Sequence, residues 1–310
     1  SSNVAKISRK NRINTKNCFF NYKNIKKMKK LHKKTDLICA ANAICHIPDI
    51  PDLIKGIDYL LSKNGLFIFE EPYLGSMYEK TSYDQIYDEH IFMFSVSSIR
   101  KIFKLFNFEL INAIPQKTHG GSMRYVIGRK GKHKVDKNVI KILKDEKKKK
   151  IDSIKGCLKF KKNCEVSKKK LKRKIINILK KGKNIAGYAA TSKSTTILNY
   201  CGINHKHIDF ICDTTPNKIN SFSPGTHIPI VSVDHYKKNI PDYTFLFAWN
   251  HKKEIFLKEK KILKKNFFKE MYKKNNNQKN FNKNDIDYKH VLDLIVESLE
   301  KKTRSDVPIS

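Results

Sequence analysis

The stretch DLICAAN at residues 36–42 decides the fold class of this 310-residue chain. A short apolar run that ends in a polar turn is typical of a buried parallel strand. Residues 51–62 follow with a helical pattern that Asn64-Gly65 would end, and GLFIFEE at residues 65–71 reads as the next strand, stopped by Pro72. This strand–helix–strand order predicts an α/β fold with a mostly parallel sheet.

The same sheet extends toward residue 130. Ser95 or Ser97 can cap a helix, and two strands at 109–114 and 123–129 follow with a loop and no helix between them. Strands joined this way predict an antiparallel edge. We therefore predict a first domain at 1–130.

A second, smaller Rossmann-like domain is predicted at 183–264, after a Lys-rich helical linker at 131–182. Its strands are expected at 185–188, 207–212, 228–231 and 243–249, with helices at 195–200 and from about Glu254. Residues 265–310 are polar and of low complexity, and only Val291–Leu299 has a helical period.

The net charge of +36 comes from 58 lysines and 7 arginines against 29 acidic residues. Nucleic-acid readers rely on arginine, whereas excess lysine together with 27 asparagines indicates a codon bias toward A and T. A nucleic-acid-binding protein would also need a basic face with interleaved aromatics, and none is found. With no transmembrane-length apolar run and no signal peptide, we expect no membrane partner and a cytoplasmic location.

The seven cysteines form no C-x-x-C pair, which indicates reduced thiols. Cys18, Cys39 and Cys45 lack the paired spacing of a structural zinc site, and Cys157 and Cys164 are six residues apart on a predicted helix. We therefore expect no bound zinc and no other metal.

Two candidate catalytic segments carry histidine. His46 follows the strand that ends at Asn42, and ligands of α/β sheets bind beyond such strand ends. The cluster Tyr87-Asp88-Glu89-His90 can supply a base and its orienting group. Position alone leaves open that His46 is a surface loop residue and that the cluster is an ordinary polar loop.

Two glycine-containing loops are candidates for binding. The loop 118–124 holds His119, Gly120 and Gly121, whose glycines permit close approach of a ligand but also suit a hairpin bend. The loop 187–194 leaves backbone N–H groups at a helix N-terminus, a natural phosphate seat, although it lacks the P-loop spacing.

Taken together, these segments resemble the C-methyltransferases of nucleotide-linked deoxysugars, a branch of the class I S-adenosylmethionine-dependent methyltransferases. The resemblance runs from about Ser2 to Phe256. Its landmarks are NAICHIPD (42–49), EPYL (71–74), YDEH (87–90), the 119–124 turn, LNYCG (198–202), PGTHIP (224–229) and FAWN (247–250). It implies a class I methyltransferase sheet followed by a smaller Rossmann-like domain.

The chain departs from the family pattern at its start. The family's zinc domain, its first strand with a glycine-rich loop and an acidic residue that holds the ribose have no counterpart, so we expect an N-terminally truncated member. Ala189 and Ser194 replace usual glycines, and Cys18 stands where an acid near the adenine is expected. Binding of S-adenosylmethionine should therefore be weakened.

The resemblance also implies roles for individual residues. A nucleotide-linked keto-deoxysugar would lose a proton to His90, and the enolate would attack the sulfonium methyl. Glu89 would orient His90 or stabilise its protonated form, while Tyr87 and His46 would donate hydrogen bonds to the enolate oxygen. Cys39, Ala41 and Asn42 would contact the cofactor. The substrate would be bound by His119, Gly120, Gly121, Tyr188, Lys193, Asn199, Pro224, Gly225, Thr226 and His227.

An alternative is a non-catalytic module that binds a nucleotide sugar, or a half-enzyme that needs a partner chain. The distinguishing feature is the glycine-rich loop, since none precedes residue 36.

Overall fold

The computed structural model describes residues 2–28 and 34–259. Two helices, α1 (Ser2–Lys10) and α2 (Tyr22–Lys27), precede the first strand. The predicted low-complexity tail at 265–310, with its helical segment Val291–Leu299, lies outside the described residues.

The first sheet has four strands in the order β1-β2-β4-β3. Its elements are β1 (Thr35–Ala41), α3 (Ile50–Leu60), β2 (Leu61–Pro72), α4 (Leu74–Lys80), α5 (Val96–Lys104), β3 (Phe108–Gln116) and β4 (Ser122–Arg129). β1 and β2 are parallel, and β4 is antiparallel to both β2 and β3. The mixed α/β class is confirmed, and one edge of the sheet is the antiparallel pair of β4 and β3. β4 turns back between β2 and β3, so β3 is the outermost strand.

The helix α3 carries the core contacts of this sheet. The Asp49 side chain caps it by accepting the N–H of Asp52, and Ile54 and Ile57 on its inner face are fully buried. The helix does not reach the predicted Asn64-Gly65 stop. The chain enters β2 at Leu61, which is buried and pairs with Thr35 of β1.

Residues 131–182, predicted to be a helical linker, contain α6 (Lys137–Lys149) and α7 (Ile154–Leu179). Glu146 of α6 is buried and accepts the N–H groups of Val96 and Ser97 at the start of α5. α7 contributes Ile175 to the hydrophobic core of the second sheet. Each helix is thus part of one packed unit as well as a connection.

The second sheet has the order β7-β6-β5-β8, and all its strands are parallel. Its elements are β5 (Ile185–Tyr188), α8 (Ser192–Cys201), β6 (Ile211–Cys212), β7 (Ile230–Val231), α9 (Val233–Lys238), β8 (Tyr243–Leu246) and α10 (Lys252–Lys258). β6 is shorter than predicted because Asn204 and His207 form a hydrogen-bonded turn before it. Trp249, predicted in a strand, begins a 3-10 turn.

Within residues 2–28 and 34–259, no helix has both the length and the apolar character of a membrane span.

Candidate functional site

A buried carboxylate holds the turn that carries His46. Glu71, at the end of β2, is fully buried, and its Oε1 accepts the backbone N–H groups of Ala43 at 2.9 Å and Ile44 at 2.6 Å. These bonds fix the 3-10 turn Ile44–His46 directly after β1. His46 therefore lies at the carboxyl end of β1, where ligands of α/β sheets bind.

Tyr87 and His90 form a hydrogen-bonded pair. His90 Nδ1 donates to the carbonyl oxygen of Gln85 at 2.9 Å, since a carbonyl can only accept. The neutral ring therefore has a bare Nε2, which accepts the Tyr87 hydroxyl at 2.9 Å. Burial lowers the pKa of His90, and the charges of His46 and Lys193 lower it further. This pKa shift favours a neutral imidazole with a lone pair on Nε2.

His46 faces the same pair, with its ring centroid 5.2 Å from that of His90. Its Nδ1 donates to the backbone carbonyl of Glu89 at 2.6 Å. The neutral ring thus presents an acceptor at Nε2, and His46 can donate to an enolate oxygen only when it is protonated.

The Glu89 carboxylate does not orient His90 by a hydrogen bond in this arrangement. The Glu89 residue is exposed, and the two groups that hold the His90 ring are the Gln85 carbonyl and the Tyr87 hydroxyl. Glu89 acts on His90 through its charge, which raises the pKa of the ring. The positioning group that the sequence analysis missed is a backbone carbonyl, which no side-chain pattern reveals.

His119 joins the end of β1 to the 118–124 loop. The Asn42 side-chain amide donates to His119 Nε2 at 3.2 Å, and both residues have positive φ, 49° and 48°. Burial lowers the pKa of His119, and the positive charges of Lys193 and His251 act in the same direction. The structure thus brings together a predicted cofactor residue and a predicted substrate residue.

Lys193 brings the first turn of α8 to this cluster. The Thr191–Ser194 capping box fixes the start of α8, and Lys193 lies in its first turn. Among the described residues, the Lys193 Nζ is buried without a hydrogen-bond partner, and it lies 5.7 Å from the ring centroid of Trp249. Burial lowers the pKa of Lys193, an effect that the nearby Asp84 opposes. A buried cation thus lies within electrostatic range of His90 and His119.

The predicted phosphate seat in the 187–194 loop is partly used by the protein itself. The N–H of Ala190 donates to Asp213 at 2.7 Å, and the N–H of Ser194 donates to the Thr191 hydroxyl at 3.1 Å. Neither N–H is therefore free for a phosphate, and the buried amine of Lys193 is the feature of this loop that suits an anion.

Protein side chains, rather than a ligand, lie close to the backbone of Gly120 and Gly121. A Cβ on Gly120 would collide with the Trp249 ring, and one on Gly121 would collide with Ser76. Gly120 has φ 86° and Gly121 has φ 130°, in the region that favours glycine. Both glycines therefore shape the wall of the site.

Several predicted substrate residues make hydrogen bonds and ring contacts away from His46, Tyr87 and His90. The Tyr188 hydroxyl donates to Glu259 at 2.9 Å, and its ring packs against Tyr236. In the 224–227 turn, the Asn199 amide donates to the Pro224 carbonyl at 3.0 Å, and a Cβ on Gly225 would collide with Asn199. The described contacts link none of these residues to His46, Tyr87 or His90.

Thr226 and His227, two further predicted substrate residues, belong to the same 224–227 turn. Thr226 is buried and its hydroxyl shares a 2.6 Å hydrogen bond with Ser223, whereas His227 is exposed with φ 53°. The turn is therefore held by its own hydrogen bonds.

Two residues of the site had no assigned role in the sequence analysis. Asp84 is fully buried, and Trp249 Nε1 donates to its carboxylate at 2.7 Å. The FAWN segment had drawn attention to Trp249 as a landmark, but its partner lies 165 residues away. An acidic residue among the apolar and aromatic neighbours of SYDQIY was the signal that could have indicated a buried Asp84.

The end of β1 suits the flat and polar parts of S-adenosylmethionine. Cys39 and Ala41 are small and exposed, and the Asn42 amide follows them. The Glu71 carboxylate is buried behind this strand end, where it raises the pKa of the neighbouring Cys45 thiol. Small side chains and an amide fit a ligand with a planar ring and hydroxyls.

Comparison with known proteins finds relatives along most of the described chain. Residues 3–113 match a family model described as a methyltransferase domain, and residues 117–268 match one described as the C-methyltransferase C-terminal domain. The chain is also 31% identical over 233 residues to the C-methyltransferase NovU of Streptomyces niveus. That alignment covers 75% of this chain and 56% of the relative, so the chain spans about half of that protein's length. Two consecutive methyltransferase matches and this relative show that the chain belongs to the C-methyltransferase family.

Proposed function

We propose that the protein takes part in S-adenosylmethionine-dependent methyl transfer to a carbon of a nucleotide-linked keto-deoxysugar. The observation that carries this proposal is the unprotonated Nε2 of His90. The Gln85 carbonyl keeps the ring proton on Nδ1, and Nε2 accepts a 2.9 Å hydrogen bond from the Tyr87 hydroxyl. The substrate class is the one that the resemblance implies. A sugar carbon next to a ketone carries the acidic proton that such a base can remove.

The chain's own residues have distinct tasks in this proposal. His90 Nε2 accepts the proton from the sugar carbon, and Nδ1 keeps its hydrogen bond to Gln85. Tyr87 must release Nε2 when the C–H bond approaches, and its hydroxyl is then free to donate to the enolate oxygen. Lys193 supplies a buried positive charge that stabilises the same oxygen.

The remaining site residues position the two reactants. Cys39, Ala41 and Asn42 would hold S-adenosylmethionine. When bound, the cofactor supplies an electrophilic methyl group. His119, anchored by Asn42, and the wall formed by Gly120 and Trp249 would exclude water from the sugar.

We expect this chain alone to bind S-adenosylmethionine weakly. Its first glycine is Gly56, so residues 1–55 contain no glycine-rich loop. Each missing charge-assisted contact costs about 1.5–3 kcal/mol, and two would weaken binding by about a hundredfold or more. Calorimetry that gives low-micromolar affinity for the isolated chain would contradict this expectation.

A half-enzyme completed by a partner chain is the second candidate. It is favoured by β1, which forms one edge of its sheet and exposes Leu37, Cys39 and Ala41. An apolar strand edge of this kind is open to pairing with another strand.

The experiment that tests the proposal is an assay of the full chain with a nucleoside-diphosphate keto-deoxyhexose and saturating S-adenosylmethionine. Mass spectrometry should find a product heavier by one CH2 group. If product forms only after a second chain is added, the half-enzyme is correct. Absence of product in both cases, from folded protein, would contradict methyl transfer.

A further inference from the structure

We propose that Cys45, His46 and His90 form a binding site for a thiophilic divalent transition-metal ion such as Zn²⁺. One ligand atom from each of the three residues lies within 4.8 Å of the other two. Cys45 is buried and the two histidines are half-buried, so the cluster lies at the boundary between core and solvent. A metal could therefore enter from the solvent side.

The two rings make the hydrogen bonds that metal-binding histidines usually make. His46 Nδ1 donates to the carbonyl of Glu89, and His90 Nδ1 donates to the carbonyl of Gln85. Hydrogen bonds of this kind fix the tautomer and orientation of histidine ligands in metal sites. In both neutral rings they leave a lone pair on Nε2.

The ligand set selects the class of metal. One sulfur and two imidazole nitrogens suit Zn²⁺ or Co²⁺, whereas Mg²⁺ and Ca²⁺ require oxygen ligands. Tetrahedral zinc with bonds of about 2.0–2.3 Å places its ligand atoms about 3.3–3.7 Å apart. Because the three ligand atoms lie within 4.8 Å of one another, they must move closer by about 1 Å to reach this spacing. Three protein ligands leave the fourth position open.

Metal binding changes three contacts in the cluster. The Cys45 thiol loses its proton to the solvent as the Sγ–metal bond forms, and its hydrogen bond with the Glu71 carboxylate ends. The Tyr87 hydroxyl leaves His90 Nε2 as the metal takes that lone pair. A metal-bound Nε2 cannot accept a proton from a substrate. If the proposed function is correct, metal occupancy therefore inhibits the enzyme reversibly.

Cysteine spacing could not reveal this site. His46 is adjacent to Cys45, but His90 is 44 residues further along, and the expectation of no metal considered only cysteine pairs. The site depends on the segment before α5 folding back over the turn after β1. The hydrogen bond from the Phe92 N–H to the Cys45 carbonyl, at 3.2 Å, is part of that contact.

The test is a titration of the full, chelator-treated chain with CoCl₂, followed by absorption spectroscopy. One Co²⁺ per chain should give visible bands of four-coordinate intensity and a thiolate charge-transfer band in the near ultraviolet, and Zn²⁺ should displace both. Cys45→Ala should remove the charge-transfer band, and His46→Asn should weaken binding about tenfold or more. The matched controls Cys18→Ser and His133→Asn should keep the wild-type spectrum, and circular dichroism checks that each variant is folded.

A charge-transfer band that persists in folded Cys45→Ala, or that is absent from wild type, would overturn the metal site. A second assay separates this outcome from failure of the proposed function. Zn²⁺ should suppress substrate proton exchange in wild type, and Cys45→Ala should be much less sensitive relative to its own zinc-free rate. If metal-free wild type shows no proton exchange but gives the expected cobalt spectrum, His90 is not the base, and the metal site is still supported.

Discussion

The indole Nε1 of Trp249 donates a 2.7 Å hydrogen bond to the fully buried carboxylate of Asp84. This bond joins the segment after the last strand of the second sheet to the loop that precedes Tyr87 and His90. The same indole ring lies against Gly120 and beneath the Lys193 amine. One side chain thus connects three segments that border the candidate site.

Trp249→Phe keeps an aromatic ring but removes the donor to Asp84. We expect a loss of about 1.5–3 kcal/mol in the free energy of unfolding, since a buried carboxylate loses a charge-assisted hydrogen bond. Urea denaturation followed by circular dichroism measures the change. The neighbouring control His251→Asn removes only an exposed pair with Glu254 and should cost little. Equal stability of the two variants would contradict a structural role for the bond.

Tyr87→Phe removes the hydroxyl that is bonded to His90 Nε2. We expect the rate of methyl transfer to fall about 10²–10³-fold, because one donor to the enolate oxygen is lost. The substitution leaves His90 Nε2 without a competing hydrogen bond and removes no group proposed to hold the substrate in its ground state. Substrate affinity should therefore change little. Steady-state kinetics with the keto-sugar nucleotide provide the measurement, and exposed Asp88→Asn is the matched control. A variant with the wild-type turnover would exclude Tyr87 from the reaction.

Lys193→Met keeps much of the side-chain volume but removes the buried positive charge. We expect kcat/KM to fall about 10²–10³-fold, since the enolate oxygen loses an electrostatic partner. Exposed Lys253→Met, on α10 near Trp249, tests whether loss of any lysine in this region has the same effect. A similar loss in both variants would mean that Lys193 contributes only to long-range attraction of the substrate.

The acid limb of the pH profile tests the protonation state of His90. Because burial lowers the His90 pKa, the neutral base persists below the ordinary imidazole value of about 6.5, and activity should fall only below that pH. Lys193→Met removes a nearby positive charge, so it should move the limb to higher pH. Both profiles are to be measured as kcat/KM with a chelator present. A limb that lies above pH 6.5 in wild type would contradict a buried neutral base.

The main strands could be predicted from the sequence because each is a short apolar run bounded by polar or turn residues. The run at 36–42 corresponds to β1 at Thr35–Ala41, and the strand at 65–71 lies within β2. The lateral order of the strands was not predicted, because the pattern gives strand order along the chain and lateral pairing depends on contacts far apart in sequence. Leu61 was placed in a helix for the same reason, since its pairing with Thr35 is a tertiary contact.

The candidate site was predictable in its residue types and less so in its geometry. His46, Tyr87 and His90 were named from the sequence, and the structure brings them together. Backbone carbonyls of Glu89 and Gln85 decide the tautomers of both rings, and no side-chain motif encodes such contacts. Tyr188 was named because the family resemblance implied it, but its ring packs against Tyr236.

Removal of a proton by His90 from the sugar carbon next to the ketone is the step on which the proposed function depends. It is tested most directly by nuclear magnetic resonance of the keto-sugar nucleotide incubated with the full chain in D₂O and a chelator, without a methyl donor. Wild type should exchange that proton for deuterium, and His90→Asn should slow the exchange by about 10²–10⁴-fold, while His133→Asn exchanges as wild type does. Exchange at the wild-type rate in folded His90→Asn would contradict the account.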